Sequence, residues 1–210
     1  MQILREFGIP FAEALRATDA EGAVRAAERL GYPVAVKVDS PDVAHKTEAG
    51  GVRLGCDNAP AVRHAVAQIL DEVGRRAPSA RIDGVLVQRM IAGGTEMILG
   101  VKRDPLFGPA VVCGFGGVFA EVLRDVSLRV PPLYREEALQ MTLELRGSAL
   151  LRGARGRPPA DIGALADALV RLGALAEAHH QQLSALDLNP LLVLDDGGGV
   201  VALDWLIEFD

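Results

Sequence analysis

A break at Ala92-Gly93-Gly94 constrains the fold of this 210-residue chain more than any other feature of its sequence. Before the break, helix-like and strand-like segments alternate, which is typical of a small sheet with helices packed on it. After it, strand-like segments follow one another with turns and no helix between them, at residues 96–101, 109–113, 118–123 and 126–130. That pattern favours a mainly antiparallel sheet. We therefore predict an α+β fold with two lobes, residues 1–91 and residues 92–210, joined by a glycine hinge.

Local signals predict where the elements begin and end. Thr18-Asp19-Ala20-Glu21 has the pattern of a capping box, in which the Thr hydroxyl and the Glu carboxylate satisfy free backbone donors. The helix that it starts should end at Gly31, and Asn58 can cap a second helix. The second helix has an apolar face with helical spacing, formed by Val62, Ala65, Val66, Ile69, Leu70 and Val73. Strands are predicted at residues 34–38, 52–56 and 84–90, and helices of the second lobe at 135–146 and 161–179.

Composition excludes several classes of function. The net charge is -6 with no basic run, and aromatic residues make up only 4%. Binding to a nucleic-acid backbone and stacking on single-stranded bases are therefore not expected. No apolar run approaches the roughly 20 residues of a membrane helix, and the N-terminus lacks the apolar core of a signal peptide. Two cysteines without a CxxC spacing are typical of buried reduced thiols. We expect a cytoplasmic protein with no nucleic-acid or membrane partner.

Lysine is rare in this chain and concentrated in one stretch. Of 22 basic residues only Lys37, Lys46 and Lys102 are lysines. Lys37 lies in a predicted strand, and Lys46 lies in a loop of residues 40–51 that contains His45-Lys46-Thr47 and Gly50-Gly51. A compact ammonium group suits a phosphate oxygen, and glycines let a backbone approach closely. The stretch therefore predicts a phosphate-handling unit, although an edge-strand lysine facing solvent is the alternative for Lys37. The spacing GxxxxGK[ST] of a Walker loop is absent.

A predicted hairpin near the C-terminus supplies a candidate cation site. Residues 186–194 and 200–204 have the pattern of strands, and Asp195-Asp-Gly-Gly-Gly199 has the composition of a turn. If the hairpin is centred near Gly197, Asn189 and Asp204 lie opposite each other, with Cβ atoms about 5 Å apart. A carboxylate and an amide oxygen at that distance can share one hard cation, with water and phosphate oxygens completing its coordination. The segment Gly114-Phe-Gly-Gly117 lacks the context of a dinucleotide-binding fingerprint and predicts a tight turn.

One known family carries similar segments in the same order. The sequence contains SPDVAHKTEAGGVRLG, GVLVQRMIAGGTEMILGVKRDPLFGPAVVCGFGGVFAEVLRDV, and LDLNPLLV followed by VVALD. Together they resemble the ATP-grasp domain of ADP-forming acyl-CoA synthetases, the part that forms the β subunit in acetyl-CoA synthetases of this kind. The chain resembles the β chain of succinyl-CoA synthetase more distantly. The resemblance extends from about Gly8 to Asp204.

The resemblance implies a fold, a reaction and a partner. The fold would be an ATP-grasp fold, with ATP held in the cleft between two α+β lobes. The reaction would convert an acid, CoA and ATP into acyl-CoA, ADP and phosphate, with Mg²⁺ as the metal and an acyl phosphate and a phosphohistidine as intermediates. In the family that phosphohistidine belongs to a CoA-binding subunit or domain, which this sequence does not contain. We therefore expect such a partner and a hetero-oligomer.

The resemblance also implies roles for individual residues. Phosphates would contact the strand lysine and a mobile loop at residues 40–51, adenine would lie against the backbone of the 84–90 strand, and ribose would lie near the start of the next strand. The nucleotide-binding residues would be Lys37, Lys46, Gly50, Gly51, Val87, Gln88, Met90 and Glu96. Asn189 and Asp204 would hold Mg²⁺. His45 would relay a phosphoryl group, and Asp187 would orient it or bind a second cation.

One position departs from the family pattern and keeps a second hypothesis open. Relatives carry a basic or amide residue two positions after the metal aspartate, whereas this chain has Leu206 after Asp204-Trp205. A leucine cannot contact phosphate. Either another group does that work, or the domain is a non-catalytic regulatory module such as occurs fused to protein acetyltransferases. A carboxylate–amine ligase is a third hypothesis, which the absence of an evident acceptor-binding segment disfavours.

Overall fold

The computed structural model describes residues 2–117, 125–154 and 156–210. In chain order the elements of these residues are α1 Gln2–Glu6, β1 Ala14–Ala17, α2 Ala20–Leu30, β2 Val34–Asp39, β3 Val52–Cys56, α3 Ala59–Arg76, β4 Gly84–Arg89, β5 Thr95–Asp104, β6 Gly108–Phe115, β7 Val126–Arg129, α4 Arg135–Glu144, α5 Ser148–Leu151, α6 Ile162–Ala178, β8 Leu183–Val193, β9 Val200–Ala202 and β10 Trp205–Phe209. The strand predicted at residues 118–123 lies outside the described residues.

The chain forms two compact units. The small unit is Ala12–Ala92, and the large unit combines Gly93–Asp210 with the N-terminal residues up to Phe11. We predicted that residues 1–91 form one lobe, but the N-terminal residues pack elsewhere because their apolar side chains complete the core of the large unit. Leu4 and Ile9 are buried in that core, and the N–H of Ala202 donates to the carbonyl oxygen of Pro10 at 2.8 Å.

The small unit is a four-stranded antiparallel sheet with two helices on one face. Its strand order is β1-β4-β2-β3. Alternate residues of β2 and β4 point toward α2 and α3, because successive side chains of a strand lie on opposite faces. Val34, Val36, Val38, Val85 and Val87 form one buried cluster with apolar residues of both helices. These valines are the reason that this face of the sheet is covered.

The ends of the helices in the small unit are set by short polar side chains. Asp19 is the N-cap of α2, and its carboxylate accepts a hydrogen bond from the N–H of Gly22 at 2.6 Å. Our assignment of the cap to Thr18 was wrong by one residue, since Asp19 itself has the extended backbone that a cap needs. The helix ends at Gly31 as predicted. Asn58 caps α3 as predicted, accepting from the N–H of Ala61 at 2.9 Å.

The predicted apolar face of α3 is confirmed with one exception. Five of its six residues are buried, whereas Leu70 is 43% exposed. Leu70 lies next to Ile69 at the border of the apolar stripe, and the stripe of this helix is too narrow to cover both. The helix therefore presents one leucine to solvent without loss of its packing on the sheet.

The large unit is a second antiparallel sheet. The strand order is β10-β8-β5-β6-β7, and β9 pairs with β8. All pairings among the described strands are antiparallel, as predicted for the strands after the glycine break. Helices α4 and α6 pack on one face, where α6 buries Leu165, Leu169 and Leu172. The opposite face carries the residues that the sequence assigned to a cation site.

Membrane-crossing helices are not part of this fold in the described residues, since each helix there is too short or too polar to span a bilayer.

Candidate functional site

Lys37 lies in the interior of the small unit's sheet. It pairs with Leu86 of β4 on one side and Val52 of β3 on the other. Its side chain is only 6% exposed, on the face opposite α2 and α3. The alternative of an edge-strand lysine facing solvent is therefore excluded. Removing an ammonium group from water is costly unless anionic groups lie close to it. This face of the sheet is thus chemically suited to an anionic group such as a phosphate.

Strand β4 divides the predicted adenine-binding residues between two environments. Gln88 pairs with Ala35 of β2 and is 5% exposed, on the same face as Lys37. Val87 is fully buried in the core of the small unit, and its strand has neighbours on both sides. Met90 follows the strand, with its Sδ atom 3.0 Å from the N–H nitrogen of Gly55. The side chain of Gln88 therefore lies on the same face of the sheet as Lys37, whereas that of Val87 lies on the face covered by α2 and α3.

The loop between β2 and β3 is folded into consecutive turns. The N–H of Ala49 donates to the carbonyl of His45 at 3.2 Å, and the N–H of Gly51 donates to that of Lys46 at 2.7 Å. Helix α3 holds the loop from outside, since Arg76 donates to the carbonyl of Glu48 at 2.6 Å. The His45 side chain is exposed and that of Lys46 is half-buried. An imidazole and an ammonium group are thus presented from a short segment with defined turns.

The two glycines of this loop are explained by packing inside the small unit. Gly50 has a φ of +73°, and a Cβ atom there would collide with the carboxylate of Glu72. A Cβ atom on Gly51 would lie 2.5 Å from Cγ1 of Val38. We expected the glycines to free backbone for a phosphate. That role stays a prediction. The atoms that approach the glycines within the small unit are those of Glu72 and Val38, so a substitution at either glycine would displace the loop from its base.

In the large unit, the predicted hairpin brings Asn189 and Asp204 opposite each other. Strand β9 pairs Leu191 with Ala202, and β10 continues the same register by pairing Leu188 with Trp205. Between these pairs the N–H of Asn189 donates to the carbonyl oxygen of Asp204 at 3.3 Å. The carboxylate of Asp204 accepts from the N–H of Trp205 at 2.9 Å. The amide and carboxylate side chains therefore start from adjacent backbone positions.

Asp187 lies on the same strand face, two residues before Asn189. Residues Leu186 and Leu188 on either side of it are buried in the helix-covered core, so Asp187 faces the other way. Its direct neighbours across the sheet are Gly100 of β5 and Leu206 of β10. Leu206, the position at which the family resemblance implies a basic or amide side chain, is thus directly opposite Asp187. Here an apolar side chain occupies it.

Asp161 supports this hairpin from the start of α6. One carboxylate oxygen accepts from the N–H of Ala164 at 2.9 Å and caps the helix, while the other accepts from the N–H of Gly199 at 3.0 Å. These bonds, led by that from Ala164, lower the pKa of Asp161 against the opposing effect of partial burial. Asp161 therefore fixes the turn that joins the strands of Asn189 and Asp204. Sequence reasoning did not identify Asp161 as part of the site, although an aspartate before the apolar pattern of residues 162–178 is a recognisable capping signal.

Glu96 lies near the start of β5 and is exposed. Its carbonyl oxygen accepts from the N–H of Gly116 at 2.8 Å. Gly117 has a φ of +61°, and a Cβ atom there would lie 2.7 Å from Oε2 of Glu96. The turn predicted at Gly114-Phe-Gly-Gly117 was wrong in its first half, because Gly114 and Phe115 belong to strand β6 and pair with β5. Gly116 and Gly117, which follow the strand, approach Glu96 closely and leave room for its carboxylate.

The predicted site residues form two groups, one in each unit. Lys37, Gln88 and the 45–51 loop belong to the small unit, and Glu96 and the hairpin residues belong to the large unit. Within residues 2–117, 125–154 and 156–210 no three His, Cys, Asp or Glu side chains are grouped so as to hold a metal ion. The hairpin instead offers two carboxylates and one amide on one face. Such a set suits Mg²⁺, which commonly binds through one or two carboxylates and completes its shell with water and phosphate oxygens.

The chain has two α+β units, a buried strand lysine and a hairpin that carries oxygen ligands. These features together define a class of protein, and comparison with known families agrees. The model of the ATP-grasp domain matches residues 1–209. The chain therefore belongs to the ATP-grasp family, which confirms the family and the fold predicted from the sequence.

Relatives within this family include ADP-forming acetate–CoA ligases. The chain is 46% identical over 201 residues to acetate–CoA ligase [ADP-forming] I of Archaeoglobus fulgidus, covering 96% of this chain and 29% of that protein. It is 41% identical over 203 residues to the β subunit of acetate–CoA ligase [ADP-forming] I of Pyrococcus furiosus, covering 97% of this chain and 86% of that subunit. The chain thus spans less than a third of one relative and most of the other.

A solved structure from the same group has a closely similar backbone. It is that of a dinucleotide-forming acetyl-coenzyme A synthetase 1 from Ca. Korarchaeum cryptofilum with coenzyme A, Ca-AMPCP and HgCl⁺, at 39% identity and a TM-score of 0.93, covering 100% of this chain and 90% of that chain. A second structure of that protein, with coenzyme A and Mg-AMPPCP, has 36% identity and a TM-score of 0.81, covering 99% and 88%. Its phosphohistidine segment points towards its nucleotide-binding site.

Proposed function

We propose that this chain is the nucleotide-binding, phosphoryl-transferring component of an ADP-forming acyl-CoA synthetase. The overall reaction converts an acid, CoA and ATP into acyl-CoA, ADP and phosphate through a phosphohistidine. The observation that supports it most directly is the hairpin on which Asn189, Asp204 and Asp187 share one face. That donor set suits a phosphate-bound divalent cation, and the relatives named above are ligases of this kind.

The small unit supplies the groups for the nucleotide. Lys37 neutralises phosphate oxygens from the sheet, and Lys46 does so from the loop that Gly50 and Gly51 keep packed on the unit. Gln88 and Met90 contact the base from β4 and the residue that follows it, with Val87 as their support from behind. In the large unit Glu96 contacts the ribose. Positioning and charge neutralisation of this kind are the main contributions of a protein to phosphoryl transfer.

Asn189 and Asp204 are the residues that would hold Mg²⁺. The cation supplies charge neutralisation at the phosphate oxygens when it is bound. His45 accepts the γ-phosphoryl group, so that the bond to the ADP oxygen breaks as a bond to an imidazole nitrogen forms, and then passes the group on. Neutral imidazole is nucleophilic at physiological pH and can be phosphorylated reversibly. Asp187 orients the imidazole or its phosphorylated form.

The proposed reaction requires a partner. The histidine that becomes the phosphohistidine and the CoA site belong to a CoA-binding subunit or domain. The active assembly is therefore a hetero-oligomer or a fused chain. Support comes from the β-subunit relative and from the phosphohistidine segment of the solved structure. We also propose that the protein works in the cytoplasm, which agrees with two cysteines kept as free, buried thiols.

Reconstitution with a CoA-binding subunit of an ADP-forming acyl-CoA synthetase tests the proposal. Acyl-CoA should form from acetate, CoA and Mg-ATP only when both parts are present. The Lys37→Met variant should lose formation of acyl-CoA, whereas the Arg152→Gln variant, changed at an exposed position, should retain it. Acyl-CoA formation without this chain, or none with both parts and a range of short acids, would refute the synthetase function.

One observation favours a second candidate, a non-catalytic ATP-grasp module that senses its nucleotide. Leu206 lies opposite Asp187, at the position where the family resemblance implies a side chain able to contact phosphate. The variants Leu206→Lys and Leu206→Met separate the two candidates. If the chain is an enzyme, the lysine should increase the rate of phosphoryl transfer and the methionine should not. If the chain is a sensor, wild-type protein binds Mg-ATP without turnover, with its partner present or absent.

A further inference from the structure

A groove on the small unit lies apart from the residues assigned to the nucleotide. It has a volume of about 540 Å³ and runs between strand β1 and helix α2. The wall on the strand side is formed by four consecutive residues, Leu15 to Thr18. Because successive side chains of a strand point to opposite faces, a cavity that touches four in a row must lie along the edge of the strand. The volume is within the usual range for ligand sites.

Among the described strands, none pairs with the edge of β1 that faces this groove. In the order β1-β4-β2-β3 the first strand pairs only with β4, from Ala14 opposite Gln88 to Ala17 opposite Val85. In an antiparallel pair, alternate residues direct their N–H and C=O groups away from the partner strand. An open edge of this kind is a template for one more strand. The groove therefore offers backbone hydrogen bonds as well as side chains.

Two of the arginines that line the groove keep their side-chain donors free of hydrogen bonds to described residues. Arg16, Arg25 and Arg29 line it together with three aspartates. Arg16 pairs with Asp39 at 2.9 Å, Asp83 pairs with Arg81 at 3.0 Å, and Asp19 caps α2. In the described part of the chain, no hydrogen bond or ion pair is formed by the side chain of Arg25 or Arg29.

The neighbouring acid Glu21 does not form a hydrogen bond with Arg25 or Arg29. Glu21 lies one turn before Arg25, but its carboxylate accepts two hydrogen bonds from Arg63, at 2.6 and 3.0 Å. Those bonds, with Arg63 the main cause, also lower the pKa of Glu21. Glu21 therefore gives its hydrogen bonds to Arg63 and interacts with Arg25 only through space. The guanidinium groups of Arg25 and Arg29 keep their N–H donors available to an anionic ligand.

We propose that this groove binds an extended acidic peptide segment of a partner protein, which adds to the edge of β1 as a fifth strand. The spacing of the two arginines matches the spacing of acidic side chains on one face of a strand. Arg25 and Arg29 are one helical turn apart, a rise of about 6 Å. Acidic side chains at alternate positions of a strand are about 6.7 Å apart on one face. The backbone of β1 binds the segment, and the two guanidinium groups select glutamate or aspartate at every second position.

The length of β1 limits the size of the segment. Four residues of strand extend over about 13 Å, so the groove holds about four residues of a partner with two acidic side chains facing α2. Weak, salt-dependent association is expected for so short an augmented strand, since exposed charges are screened at physiological salt. This site is independent of the phosphoryl-transfer role, because none of the residues proposed to contact ATP or Mg²⁺ lines the groove.

A synthetic peptide tests the proposal directly on the intact chain. The probe is a rhodamine-labelled peptide with the sequence Thr-Glu-Val-Glu-Val-Glu-Thr, compared with the same peptide carrying Gln for Glu, by fluorescence polarisation. We expect saturable binding of the acidic peptide only, weakening about tenfold in the Arg25→Gln/Arg29→Gln variant as two charge-assisted contacts are lost. The matched Arg152→Gln/Arg157→Gln variant, changed at exposed positions outside the small unit, should bind as wild type.

Backbone pairing is tested by N-methylation and hydrogen exchange. Peptides N-methylated at odd or at even positions should differ in affinity, and the acidic peptide should slow exchange of the β1 amides. Equal binding of both methylated peptides, or unchanged β1 exchange at saturation, would overturn strand addition. Binding of the Gln peptide equal to that of the acidic one would overturn the charge selection. Arginine-dependent binding of tripolyphosphate with no peptide binding, or self-association of the chain through this edge, would assign the groove to another occupant and refute the proposal.

Discussion

Asn189 in β8 and Asp204, between β9 and β10, face each other and are joined by a backbone hydrogen bond of 3.3 Å. The register on both sides of this pair is continuous, so neither residue can shift relative to the other without breaking the strand pairing. A cation held between their side chains therefore has two oxygen ligands with a fixed spacing, which reduces the entropic cost of binding.

Replacement of Asp204 by Asn should weaken Mg²⁺-dependent ATP binding about tenfold or more, because the cation loses a charged ligand. The variant retains an oxygen that can accept from the N–H of Trp205, so its stability should change little. Titrations of Mg²⁺ at fixed ATP measure the effect. Asp196→Asn, in the exposed turn of the same hairpin, is the matched control. Equal losses in both variants would show that the effect is general charge removal.

Asp161→Ala should destabilise the protein and loosen the hairpin together. Loss of a helix N-cap costs about 0.5–2 kcal/mol, and the N–H of Gly199 also loses its acceptor. Urea unfolding measures the first effect, and the Mg²⁺ concentration required for ATP binding measures the second. Asp19→Ala removes the corresponding cap of α2 in the small unit. If both variants raise the Mg²⁺ requirement equally, Asp161 has no particular role in supporting the cation site.

Lowering the pH should reduce the contribution of the charged Asp161 carboxylate to the free energy of unfolding. Its pKa is lowered from the ordinary 3.8 by hydrogen bonds from Ala164 and from the glycines of the turn. A carboxyl group whose folded pKa is lowered adds stability that is fully present above its unfolded pKa and is lost as the pH falls through the folded pKa. The difference in unfolding free energy between wild type and Asp161→Asn should therefore be constant above about pH 5 and shrink below about pH 4. A difference that grows on acidification would contradict the assignment.

His45 should affect phosphoryl transfer without affecting folding. Its side chain is exposed on the loop, and exposed substitutions usually change stability by less than about 0.5 kcal/mol. With ATP labelled at the γ-phosphate, wild-type chain should acquire an acid-labile phosphate and transfer it to the partner, whereas His45→Ala should do neither. His64→Ala, a change in α3 of the same unit, serves as the control. Transfer at the wild-type rate through His45→Ala would remove this residue from the mechanism.

Much of this architecture could be predicted because its signals are local. The Gly-rich turn and the strands beside it were sufficient to predict that Asn189 lies opposite Asp204. The glycine break marked the boundary between the two sheets for the same reason, although both sheets are antiparallel. Long motifs in a fixed order also identified the ATP-grasp family, which the family comparison confirms.

Other features depend on contacts that no local pattern contains. Asp161 and Gly199 are 38 residues apart, and their hydrogen bond exists only in the folded unit. Leu4 and Ile9 complete a core built mainly from residues after Gly93, so the N-terminal residues leave the lobe that sequence order suggests. The close approach of Glu72 to Gly50 and of Val38 to Gly51 also depends on the folded chain. Burial, unlike periodicity, is decided by the whole chain.

Isothermal titration of the isolated chain with ATP tests the central claim most directly. In the presence of Mg²⁺ the account predicts saturable binding of one ATP per chain, strongly reduced without Mg²⁺, in Lys37→Met and in Asp204→Asn, with Asp196→Asn unchanged. No binding heat for the folded wild-type chain across several temperatures, or binding that is indifferent to Mg²⁺ and to Lys37, would contradict it.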